Sequence, residues 1–120
     1  MEIVYWILAG ILALAFLAAG LTKLTKSAEQ MQEMGMMPAS RSIGAQRGIG
    51  AVEVLGALGL ILPPLTGIAV ILAPIAAVGL VITMILAIID HKKRNEPFTG
   101  ALGLGVVSIA VAVIGFMVWA

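Results

Sequence analysis

Cysteine is absent, which excludes disulfides, thiolate metal sites, haem attachment and dithiol redox chemistry of the chain's own. A single histidine is too few for a histidine metal cluster, so no metal is expected. Aromatic residues make up 5% and charged residues 11% of the chain; the net charge of +1 says nothing about partners by itself, and no nucleic-acid partner is expected. With charge this scarce, 62% of the 120 residues are apolar, more than a soluble domain of that length can hide. Most of that surface must meet lipid. The chain therefore reads as one integral membrane domain over residues 1–120, with membrane lipid as its first partner.

What is present is a set of long apolar runs. Ile3 to Leu21 carries no charge over nineteen residues, enough to span a bilayer at about 1.5 Å per residue. A second run, Ile43 to Leu62, holds Arg47 near its start and Glu53 at its centre, and Pro63-Pro64 is expected to end it. The third run is expected over 65–89 and the fourth over 101–120. Backbone groups in lipid have only each other as partners, so all four are predicted to be helices and the fold an all-α four-helix membrane bundle.

All seven basic residues fall in two places: Lys23, Lys26, Arg41 and Arg47 around the first connection, and Lys92, Lys93 and Arg94 in the third. The second connection has none. The positive-inside rule then puts both basic connections in the cytoplasm and both termini outside, in a multi-pass protein of the cytoplasmic membrane. Met1-Glu2 lacks the basic start of a signal peptide, and Lys23 and Lys26 follow as a stop-transfer flank, so the first run is expected to remain as a span.

Ser27-Ala28-Glu29-Gln30 fits a capping box, which predicts a short interfacial helix over 27–34 with Met31 and Met34 on one side and Gly35 ending it. Small residues four apart predict close helix contacts at Gly44/Gly48, at Ala69/Ala73/Ala77, at Gly79/Thr83/Ala87 and at Ser108/Ala112. Pro74 is expected to kink the third span. Tyr5, Trp6 and Trp119 read as an anchoring belt at the outer surface.

Glu53 stands out, as the only charge between Ile49 and Leu62. A carboxylate at membrane depth is costly, and it normally faces the bundle interior with a partner. Arg47 lies six residues away on the same helix and points to another face, so Lys23 on the first span is the expected partner, through water because of its depth. Gln46 and Thr83 are uncharged alternatives. Such a glutamate marks either a functional site or a polar tie between helices. His91, at the inner end of the third span, suits a proton relay or a bond to a quinone carbonyl, and equally a helix cap beside the negative end of the dipole.

The segments Phe16-Leu-Ala-Ala-Gly-Leu-Thr-Lys23-Leu24 and Gly50-Ala-Val-Glu53-Val-Leu-Gly56-Ala-Leu-Gly-Leu-Ile-Leu-Pro63 resemble the first- and second-helix signatures of the DoxX-like membrane proteins. Ala73-Pro74, Met84, Ala87 and His91 are similar to the third. The resemblance implies a four-helix bundle in which Lys23, Glu53 and His91 occupy the family's recurring polar positions. It further implies an accessory membrane protein, a subunit or binding module of a quinone-linked redox system, with a quinone or lipid as candidate ligand. On that reading the chain is not a complete catalyst by itself. An alternative is a scaffold or assembly chaperone whose glycine faces bind a membrane protein partner or a second copy. A third is a small proton-coupled transporter; small multidrug transporters have this length and span number, but their essential glutamate lies in the first span.

Overall fold

The computed structural model describes residues 1–120 and is entirely helical: α1 (Glu2–Thr25), α2 (Ala28–Glu33), α3 (Ile43–Thr66), α4 (Leu72–Lys93) and α5 (Thr99–Trp119). The four long helices are long and apolar enough to cross a membrane. They form a ring in which α1 packs on α3 and α5, and α4 packs on the same two. Each buries only a narrow stripe; in α1 it is Tyr5, Ala9, Leu12, Ala13, Phe16 and Gly20, at the three-and-four spacing of one helix face. The fold is the membrane helical bundle that the composition predicts. Below, the basic end is the end carrying α2 and the α4–α5 connection, and the opposite end carries the α3–α4 turn.

The prolines behave differently from expectation. Pro63-Pro64 does not end the second span: α3 runs on to Thr66 and stops at Gly67, whose φ of 74° is the left-handed conformation glycine adopts freely. Two missing amides leave the carbonyls of Gly59 and Leu60 without their helical donors. Tyr5 resolves the second of these, since its hydroxyl donates to the Leu60 carbonyl at 2.6 Å. Tyr5 is therefore no mere surface anchor. It is fully buried and packs edge-to-face against Trp6 and Trp119, with ring centroids 5.7 and 5.5 Å away. Tyr5→Phe should lower stability by about 1–3 kcal/mol, the cost of an unpaired buried carbonyl, and thermal unfolding in detergent measures it.

The third span begins later than expected, at Leu72 and not at residue 65. Gly67 and Ala69 both have positive φ, and the Leu72 amide donates to the Ala69 carbonyl, so residues 67–71 form the turn. Ala69 thus drops out of its stripe, while Ala73 and Ala77 are buried. Pro74 lands in the first turn of α4, where its amide would lack a helical partner anyway, and no kink is needed. Gly115 lies against it: a Cβ there would sit 3.2 Å from the Pro74 Cβ.

The glycine contacts are also redistributed. A Cβ on Gly44, Gly48 or Gly79 would meet nothing within 4 Å. The close approach lies instead between α1 and α3, where a Cβ on Gly20 would stand 2.7 Å from the Gly50 carbonyl oxygen, and one on Gly50 2.8 Å from that of Gly20. Ser108 and Ala112 are buried as their stripe predicts. The capping box of α2 is complete, with Gln30 N bonded to Ser27 Oγ and Ser27 N to Gln30 Oε1. Met31 is buried while Met34, just past the end of α2, is 56% exposed, so only the first of the two methionines is packed into the protein.

Candidate functional site

Glu53 and Lys23 meet because of how the glycines set their helices. Gly20 contacts Val54 and Lys23 contacts Gly50, so residue numbers rise along α1 as they fall along α3, and the helices are antiparallel. Side chains lean toward the N-terminus of their own helix. In an antiparallel pair, Lys23 leans away from the basic end and Glu53 leans toward it, so the two point at each other. Gly50 has no side chain to obstruct the lysine stem crossing it. Lys23 Nζ donates directly to Glu53 Oε1 at 2.5 Å, with no need of the bridging water expected from its depth. Glu53 is 1% exposed and Lys23 14%, so the pair is almost wholly removed from the surface.

Beside this pair lies a cavity of about 930 Å³. Ala45, Gly48 and Val52 of α3 form one wall and Gly79, Thr83 and Ala87 of α4 another, with Glu53 and Lys23 on its floor. The stripe Gly79/Thr83/Ala87, predicted to pack against a helix, lines this space instead. Of the pair's polar valences, only one bond is used between them. Glu53 Oε2 has no partner within the protein and is not sealed off, and two of the three Lys23 ammonium protons remain free. Thr83 also lines the cavity, and its Oγ1 donates to the Gly79 carbonyl at 2.9 Å, which leaves that oxygen able only to accept from a ligand.

His91 lines the cavity at the basic end. Its Nδ1 is 3.6 Å from Glu96 Oε1 and makes no hydrogen bond. Arg47, in contrast, is not brought to the cavity. Its Nη1 donates to the Lys23 and Lys26 carbonyls at 2.9 and 2.8 Å, which caps the C-terminus of α1, where the dipole favours a cation. Lys23, Glu53, Thr83 and His91 are thus assembled around one space, and Arg47 serves the scaffold behind it.

Sequence reasoning offered Gln46 only as an alternative partner for Glu53 and missed the second polar group to which it belongs. Arg41 forms an ion pair with Asp90 across the basic end, and its Nη1 also donates to Gln46 Oε1 at 2.7 Å. Burial, and then the charge of nearby Arg94, hold the Arg41 guanidinium below its ordinary range. Gln46 is fully buried, and its Nε2 bonds the Met36 carbonyl at 3.3 Å and Met31 Sδ at 3.7 Å. The available signal was spacing: Gln46 lies seven residues before Glu53, on the same face of α3, so a buried role for one implied the same for the other.

Comparison with curated proteins and with solved structures returns no match. A family model does match, over residues 7–115, which takes in most or all of each long helix, the Lys23–Glu53 pair and the cavity. The chain belongs to the DoxX-like family.

Proposed function

We propose that this protein is a membrane binding module that holds a small, neutral, lipid-soluble molecule of quinone-like chemistry against Lys23 and Glu53, as an accessory part of a membrane redox system. The supporting observation is the buried ion pair with unused valences on the floor of a 930 Å³ cavity, within the range of small-molecule sites. Lys23 donates to a ligand carbonyl, and Glu53 Oε2 accepts from a ligand hydroxyl. The pair is balanced in charge, so a charged head would bring an uncompensated charge into a low-dielectric site, and a neutral one would not. The basic end faces the cytoplasm on this reading, by the positive-inside rule. Residues of this chain supply binding and orientation; no reaction of its own is assigned.

Titration of the purified protein with decylubiquinone and with decylubiquinol, the form that carries hydroxyls, tests the reading. Glu53→Gln should weaken quinol binding by about tenfold or more, the loss of one charge-assisted hydrogen bond. Absence of binding, or equal binding by the variant, sinks it.

A second reading, a scaffold for other membrane helices, draws on Gly44, Gly100 and Gly103. All three are exposed, and a Cβ on any of them would meet nothing within 4 Å. A foreign helix can approach closely there.

A further inference from the structure

Helices α3 and α4 do not stay in contact along their length. They touch in the half away from the basic end, where a Cβ on Gly56 would stand 2.7 Å from Leu80 and one on Gly59 2.9 Å from Ala76. Toward the basic end they part: Gly79 lies beside Leu80 at the edge of the contact and Gly48 farther along the parted stretch of α3, and a Cβ on either would meet nothing within 4 Å. Val52 and Ile82 line the cavity there yet are 51% and 55% exposed, so the cavity opens sideways at that seam, at the depth of Glu53. The rim is apolar, as lipid demands.

Two of the other helix seams are closed by packing. Between α1 and α3 the Gly20–Gly50 contact leaves no gap, and Gly105 brings α5 to within van der Waals distance of Met84 on α4. Across the basic end runs a strap, residues 34–41, whose Met34 and Met36 line the cavity. It is tied at both ends. Gln46 holds the Met36 carbonyl, Met37 is buried, and Arg41 is paired with Asp90 on α4.

We infer that the ligand enters and leaves sideways from the bilayer, through the α3–α4 seam beside Val52 and Ile82, while the Arg41–Asp90 strap keeps water and water-soluble molecules out at the basic end. This rests on the cavity being a ligand site. It narrows the ligand class to molecules dissolved in the membrane, with a neutral oxygen-bearing head for the ion pair and an apolar tail left in the seam. A water-soluble anion has no route in. Gly79, at the closed edge of the seam, and Gly48, on the parted stretch of α3, both line the cavity with open space around them, so a large side chain on either narrows the opening.

The absence of native cysteine makes the route measurable. Thr83→Cys places a single thiol in the cavity, and nanodiscs leave both membrane faces open to water. An alkyl methanethiosulfonate should modify it readily, and a trimethylammonium methanethiosulfonate about a hundredfold more slowly, the penalty of taking a charge through lipid. Adding Gly79→Leu, or Gly48→Leu from the other wall, should slow the alkyl reagent by about tenfold; either glycine faces open space, so both variants should fold. Adding Arg41→Ala should speed the charged reagent alone. Equal rates for the two reagents with the strap intact, or an alkyl rate indifferent to both leucines, overturns the inference. The labelling pattern without decylubiquinone binding would instead keep the route and discard the quinone-like ligand.

Discussion

Lys23→Met should destabilise the bundle by about 3–5 kcal/mol, because it strands the Glu53 carboxylate at membrane depth without its counter-charge. The expected pattern across a double-mutant cycle is more telling than the single value. Lys23→Met combined with Glu53→Leu removes both charges and leaves side chains of similar volume, so stability should return to within about 1–2 kcal/mol of the parent. Thermal unfolding in detergent supplies the numbers. The same set separates the two roles of the pair, since the double variant is folded but has no polar floor, and it should bind no decylubiquinone. If instead each single change is as mild as the pair together, Lys23 and Glu53 do not act on one another. The functional reading would then lose its geometry.

That Glu53 has a partner on α1 was legible in the sequence, because a lone charge in an apolar run has few ways to be tolerated and Lys23 is the nearest cation on another span. That the contact is direct was less obvious. It follows from the lean of side chains in antiparallel helices, which matters more here than the depth of the lysine backbone. The proline error has a different origin. Whether a helix runs through Pro63 and Pro64 depends on what the freed carbonyls find as donors, and the donor to Leu60 is Tyr5, 55 positions away in the chain. No local pattern carries that information. The Arg41–Asp90 pair was likewise invisible, because it joins the α2–α3 connection to the end of α4, which only the folded bundle brings together.

The glycines show the same limit most sharply, and they give the second large prediction. Spacing within one helix singled out Gly44 and Gly48, yet a close contact needs a glycine on each of two helices at the crossing point, which Gly20 and Gly50 provide. A Cβ on Gly50 would stand 2.7 Å from the Lys23 Cβ and 2.8 Å from the Gly20 carbonyl oxygen. Neither is the free end of a flexible side chain, so α1 must move off α3. Gly50→Leu should therefore cost at least about 3 kcal/mol, combining overpacking with loss of the ion pair that the same contact aligns. Gly50→Ala should fall between this and the parent, since the first added carbon already collides. Gly44→Leu should leave stability unchanged or slightly higher, by up to about 1 kcal/mol, because it replaces an exposed helical glycine and touches nothing. Unfolding midpoints and decylubiquinone binding should fall together in the Gly50 variants and stay together at parental values in Gly44→Leu. A Gly44→Leu protein that is stable and binds ligand, but no longer captures a partner membrane helix, would instead assign the outer face of α3 to scaffolding. Comparable destabilisation by the two leucines would mean that the α1–α3 crossing does not set the register of the site.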